Sequence, residues 1–131
     1  MHIRRHMGRC IYGGIYDPQN EHGLADKEHG FRTDVIECMK ELDVPVVRYP
    51  GGNFVATYRW QDGVGPRENR PKRPELAWLG VESNQFGTDE FMTWCRHVGC
   101  EPYLSLNMGT GTLEDGRWKS PYTITHGWWL T

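Results

Sequence analysis

No apolar run in this sequence approaches the ~18 residues that a membrane-spanning helix needs. The start, Met1-His-Ile-Arg-Arg-His-Met-Gly8, has basic residues with no apolar stretch behind them, so no signal peptide is seen and the expected location is cytoplasmic. Charge of one sign is missing as well. Fifteen Lys and Arg stand against 17 Asp and Glu, a net charge of −2, which gives no field for binding nucleic acid or an anionic membrane. The four cysteines (Cys10, Cys38, Cys95, Cys100) are too few and too irregular for a disulfide-built scaffold. There is no internal repeat and no low-complexity tract. Neither a G-x-G-x-x-G nor a Walker lysine pattern occurs. What the chain does carry is 16 Gly and 6 Trp in 131 residues.

Apolar residues at 31, 35, 36, 39 and 42 recur at spacings of three and four, which predicts a helix over 31–42. Asp34 near its start and Lys40 near its end suit the helix dipole, and Asp43-Val44-Pro45 stops it. Pro45–Tyr49 is short and rich in valine and reads as a buried strand. A second helix is predicted over Thr88–Val98, with Thr88 as N-cap, Asp89 and Glu90 in the first turn, and Phe91, Trp94, Cys95 and Val98 as the inner stripe. Gly99 ends it. Glu101–Asn107 reads as a further strand, and a third helix is expected to start near Thr112. Strand and helix in alternation predict an α/β fold built around a parallel sheet. The connection Pro50–Gly87 follows the C-terminal end of a strand, where parallel α/β folds gather their functional loops. Its Trp, Tyr, Phe and Arg content predicts an ordered pocket wall rather than a linker.

The densest local signal is Arg48-Tyr-Pro-Gly-Gly-Asn-Phe54. An arginine at a strand mouth, a glycine turn and an amide that both donates and accepts suit a sugar hydroxyl. The alternative is a tight turn with Arg48 paired to a buried carboxylate. Trp60 and Trp78 offer ring faces for a carbohydrate or pins for the loop, and pinning is the preferred reading for Trp60. Arg67, Arg70, Lys72 and Arg73 could face phosphate, but the interleaved Glu68 and Glu75 favour a solvated loop with local ion pairs. Cys95-x-His97-x-x-Cys100 has no second ligand pair for a metal. Gly109-Thr-Gly-Thr112 could cradle a phosphate, though only weakly. Asp17, Glu28, Asp62, Glu68, Glu82 and Glu114 are all away from the C-terminal end of a predicted strand, so no catalytic residue is assigned.

Taken in order, Gly8-Arg-Cys-Ile-Tyr-Gly-Gly-Ile-Tyr-Asp-Pro18, Gly30-Phe-Arg-Thr-Asp-Val-Ile36, Val44-Pro-Val-Val-Arg-Tyr-Pro-Gly-Gly-Asn-Phe-Val55, Trp60-Gln-Asp-Gly-Val-Gly-Pro66, Leu76-Ala-Trp78, Phe86-Gly-Thr-Asp-Glu-Phe91 and Asn107-Met-Gly-Thr-Gly-Thr112 resemble glycoside hydrolase family 51, the α-L-arabinofuranosidases. The resemblance runs from about His6 to about Trp118 and leaves 119–131 as a poorly matching tail. It implies a retaining exo-glycosidase on a (β/α)8 TIM barrel, with this chain as roughly the first three βα units of the ~250 residues such a barrel takes. The implied substrate is terminal α-L-arabinofuranose in arabinan, arabinoxylan or oligosaccharides. No metal or organic cofactor, nucleic acid or membrane is implied, and the full-length relative is expected to be a homo-oligomer. By position, Arg48 matches the arginine beneath the sugar, Asn53 a residue lining the furanose pocket, and Trp78 a tryptophan on the aglycone side. The family's acid/base and nucleophile glutamates lie on later strands, and Arg5 stands where the family has a substrate-contacting glutamate. The expectation is an N-terminal fragment, inactive alone. The alternative is a non-catalytic carbohydrate-binding or interaction module.

Overall fold

The computed structural model describes residues 2, 3 and 8–117; Arg5 and the tail 119–131 lie outside them. In chain order the elements are β1 (His2–Ile3), α1 (Gly8–Ile11), α2 (Thr33–Glu41), β2 (Val46–Tyr49), β3 (Arg73–Glu75), β4 (Gly80–Glu82), α3 (Thr88–Val98) and β5 (Glu101–Leu104). Three 3₁₀ turns, Phe54–Ala56, Trp60–Gly63 and Arg67–Asn69, punctuate the connection from β2 to β3. Residues 113–117 are helical, so the helix expected near Thr112 is present.

The sheet has the order β1-β2-β5 and is parallel throughout. Val46 pairs with Glu101 and Arg48 with Tyr103. Side chains alternate across a strand. Val47 and Tyr49 therefore enter the core with Ile36, Met39, Phe91, Trp94 and Val98, while Arg48 stays half-buried on the opposite face beside exposed Tyr103. Tyr49 stacks on Phe91 of α3 at 4.7 Å and its hydroxyl donates to the Phe86 carbonyl at 3.0 Å. Each such buried apolar side chain contributes about 1.5–3 kcal/mol.

Both predicted helices form, α3 over its expected range and α2 with shifted ends. α2 starts at Thr33 because Phe31 is held in a bridge to Tyr16 and Arg32 is extended. Leu42 closes it as an exposed C-cap rather than joining the inner stripe. α3 is capped by Gly87 instead of Thr88. The Glu90 carboxylate accepts the Gly87 N–H at 2.8 Å, and only glycine fits at 87, since a β-carbon there would stand 1.8 Å from the Gly63 carbonyl oxygen. Thr88 is the first helical residue and is fully buried.

The segment between α1 and α2 is organised by two carboxylates. Asp17 accepts the backbone N–H groups of Glu21 and His22, both at 3.2 Å, and contacts His22 Nδ1 at 3.1 Å. Asp26 accepts those of Glu28, His29 and Phe31 at 2.9, 2.6 and 3.0 Å. Desolvation alone would raise both carboxyls, but the converging N–H donors outweigh it and leave them below the ordinary aspartate range. Groups lowered in the folded state stabilise it above the unfolded value, ~3.9, and that stability is lost as pH falls through the folded value. The urea midpoint is therefore expected to be flat near neutrality and to fall below about pH 4, and the decline should be shallower in a D17N/D26N variant. An unchanged acid limb in that variant would rule these carboxylates out as its source.

Candidate functional site

The mouth of β2 is built from Arg48, a cis Tyr49–Pro50 peptide, Gly51 and Gly52 at φ 65° and 66°, and exposed Asn53, which leads into the first 3₁₀ turn. Among the described residues no carboxylate pairs with Arg48, and its Nε is buried without a hydrogen-bond partner. The alternative of an arginine neutralised by a buried acid is therefore not what this turn contains. Trp78 lies in the turn between β3 and β4 and is 49% exposed. Its backbone N–H and that of Ala77 donate to the two oxygens of Glu75, at 2.8 and 2.7 Å, and this fixes the turn. Leu76, Leu79 and Val81 share that hairpin and are exposed too.

Two cavities open beside the mouth. One, of about 380 Å³, lies between the 3₁₀ segment and the hairpin, against Phe54, Tyr58, Asp62, Arg73, Glu75 and Leu76. The other, of about 260 Å³, lies between that segment and the loop after β5, against Tyr58, Trp60, Ser105, Asn107, Thr110 and Asp115. Both are walled by residues just after Asn53, and neither by Arg48, Asn53 or Trp78 themselves. The structure thus brings Arg48 and Asn53 together on one turn and puts Trp78 on a separate hairpin.

The loop after β5 has a purpose that its glycines did not announce. Asn107 Oδ1 accepts the N–H groups of Gly109, Thr110 and Gly111 at 3.0, 3.0 and 3.1 Å. Its Nδ2 donates to the Tyr58 carbonyl and to Thr110 Oγ1, both at 3.1 Å. Thr110 in turn donates its N–H and its hydroxyl to the Ala56 carbonyl, each at 3.0 Å. Amides that could have cradled a phosphate are consumed by Asn107, which fastens this loop to the one after β2. Thr112 and Asp115 cap the helical residues 113–117 reciprocally, with Thr112 N–H donating to Asp115 at 2.9 Å and Asp115 N–H to Thr112 Oγ1 at 3.2 Å. Trp60 Nε1 donates to the Asp115 carbonyl at 3.0 Å, so this tryptophan pins the long loop.

The arginines of the basic stretch are bound internally. Arg73 pairs with Asp62 at 3.0 Å. Arg67 reaches Glu90 at 3.4 Å and lies over the Tyr16 ring, 5.4 Å from its centroid. Arg70 departs from the solvated reading. It is buried and grips Glu90 at 2.9 Å. Glu82, also buried, accepts the Tyr12 hydroxyl in a short hydrogen bond and the Asn84 N–H at 2.9 Å. Burial first, and then the Glu82 charge, push the Tyr12 hydroxyl far above the ordinary tyrosine range. Cys95 and Cys100 are buried free thiols, and His97 packs edge-on against His29 and Phe31. Among the described residues no group of three or more His, Cys, Asp or Glu is placed to hold a metal, and no helix is long and apolar enough to cross a membrane.

Residues 38–123 match the family model described as the alpha-L-arabinofuranosidase 1 domain. Over 110 residues the chain is 73% identical to alpha-L-arabinofuranosidase C of Emericella nidulans, covering 84% of this chain and 21% of that protein. It is 56% identical over 109 residues to the intracellular exo-alpha-(1→5)-L-arabinofuranosidase of Bifidobacterium longum, covering 83% and 19%. The crystal structure of the Thermotoga maritima α-L-arabinofuranosidase in complex with arabinose superposes with a TM-score of 0.83 at 56% identity, over 88% of this chain and 23% of that one. A family 51 enzyme from Bifidobacterium longum superposes with a TM-score of 0.87 at 50% identity, over 92% and 23%. The chain thus spans about a fifth of the length of the curated relatives it matches. Since the matched residues make up most of the sequence, the chain belongs to the α-L-arabinofuranosidases of glycoside hydrolase family 51.

Proposed function

We propose that the chain forms the first part of a (β/α)8 catalytic barrel and supplies a wall of its furanose pocket, with Arg48, Asn53 and Trp78 as the sugar-contacting residues. The observation that carries this reading is Arg48, which stands at the C-terminal mouth of a parallel strand with no acid paired to it among the described residues. Asn53 is exposed one turn further on and can both donate to and accept from hydroxyl groups. Trp78, a half-exposed residue, offers a ring that can stack on the C–H side of a sugar. The reaction is retaining release of terminal α-L-arabinofuranose from arabinan, arabinoxylan or oligosaccharides. It takes a nucleophile and an acid/base carboxyl about 5–5.5 Å apart. Residues 50–53 beyond β2 and 105–107 beyond β5 contain no carboxylate, and neither role is assigned to a residue of this chain. The designation of the Bifidobacterium longum relative as intracellular supports cytoplasmic placement. Homo-oligomeric assembly of the full-length enzyme belongs to the same proposal.

The purified 131-residue chain is expected to release no nitrophenol from 4-nitrophenyl α-L-arabinofuranoside above the buffer blank. Titrated with methyl α-L-arabinofuranoside in the millimolar range, it is expected to change its tryptophan fluorescence. Trp78→Ala should weaken that binding by about 1 kcal/mol, roughly fivefold in Kd. Turnover by the chain alone would overturn the assignment of catalysis elsewhere. A flat titration would remove the sugar-binding role.

A further inference from the structure

Gly51 follows the β2 mouth at φ 65°. A β-carbon placed on residue 51 would stand 2.8 Å from Arg48 Nε, 2.9 Å from Nη2 and 3.1 Å from Cζ. The Nε–Nη2 edge of the guanidinium therefore closes on the space that a side chain at residue 51 would occupy. Heavy atoms pack best at ~3.5–4.0 Å, so any side chain at 51 would push the guanidinium off this surface. Arg48 Nε is buried and has no hydrogen-bond partner, so no hydrogen bond at Nε fixes this end of the group among the described residues. A fork with no bond at Nε is aimed by what it rests on.

We propose that Gly51 is a positioning residue for Arg48: the absent side chain is the seat that sets where the Arg48 fork points at the strand mouth. The functional meaning of the seat rests on the sugar-binding role proposed above for Arg48, but the seat can be tested separately. Backbone strain is the competing reason for a glycine here, since φ near 65° disfavours any side chain. Gly65 separates the two, because it has φ 79° in the same long connection and nothing within 4 Å of a built β-carbon.

The test is the Arg48 Nε–H resonance of the 15N-labelled chain, assigned by its absence in R48K. In the unsubstituted chain a buried Nε–H gives a dispersed, slowly exchanging signal. G51A is expected to move it to the position of a free arginine side chain, and G65A to leave it in place. A G51A protein that keeps the dispersed signal would overturn the proposal. If G51A does not fold, the R48A/G51A double variant decides. Recovery of the fold supports a clash with the Arg48 side chain, whereas a double variant still unfolded beside a folded R48A protein shows a backbone effect alone and overturns it. Methyl α-L-arabinofuranoside added to the unsubstituted chain reads the other reading independently. An Arg48 signal that ignores the sugar removes the binding role and leaves the seat standing.

Discussion

Replacing Arg70 by alanine is expected to cost about 3–5 kcal/mol of folding free energy, the usual cost of removing one partner from a buried ion pair. The guanidinium and the Glu90 carboxylate meet in two parallel contacts, Nη2 to Oε1 at 2.9 Å and Nη1 to Oε2 at 3.1 Å. Arg70 also donates to the Gly65 carbonyl through Nε at 3.0 Å and Nη2 at 2.8 Å, and to the Asn84 carbonyl through Nη1 at 3.1 Å. Alanine would leave Glu90, 7% exposed, with the Gly87 N–H and the longer contact from Arg67, and would remove a donor from three carbonyls, those of Gly65, Asn84 and Gln85. Against a total stability of about 5–15 kcal/mol, that loss moves the urea midpoint far to the left. Arg73→Ala is the control. Its pair with Asp62 is on an exposed side chain and contributes about 0–1 kcal/mol. An R70M/E90M variant should recover part of the loss, because no charge is then left buried and unpaired. Equal midpoints for R70A and R73A would show that the pair does not fasten the long connection to α3.

This pair also shows where sequence reasoning reaches its limit. Arg70 sits among other basic residues, and its partner is 20 positions away at the start of a helix, so nothing local separates it from Arg73. Periodicity was enough for α2 and α3, because their stripes face one core, and enough for β2 and β5, whose apolar residues are bounded by breakers. It failed between 50 and 87. Three-residue 3₁₀ turns carry no periodic signal, and the β3–β4 hairpin turns Leu76, Leu79 and Val81 outward. The true N-cap of α3 depends on how closely Gly63 approaches Gly87, a contact between distant glycines. At the candidate site, the placement of Arg48 and Asn53 on one turn is legible because both belong to one short motif. The fastening role of Asn107 has a local cue, an asparagine shortly ahead of Gly-Thr-Gly that suits an amide-capturing turn, but its long-range bond to the Tyr58 carbonyl has none.

Phe86 is the second position where one truncation should be severe. It ends the long connection and is fully buried, with ring centroids 5.7 Å from Tyr16, 5.7 Å from Tyr49 and 6.4 Å from Phe31. Its carbonyl also accepts the Tyr49 hydroxyl. Phe86→Ala removes a ring touching three others and leaves a cavity the fixed strand β2 cannot close, for an expected loss of about 3–5 kcal/mol. Phe86→Leu keeps most of the volume and should lose less than about 1.5 kcal/mol. The two midpoints in urea give the comparison, and a Phe86→Ala midpoint within error of Phe86→Leu would mean that the site collapses rather than holding a void. The same pair of variants bears on function. The ring anchors the exit of the connection that carries Trp78, while Arg48 and Asn53 sit on its entrance. Well below its own unfolding midpoint, Phe86→Ala is therefore expected to weaken sugar binding in the manner of Trp78→Ala while the Arg48 Nε signal stays where it was. Loss of both together would show that entrance and exit of the connection move as one body.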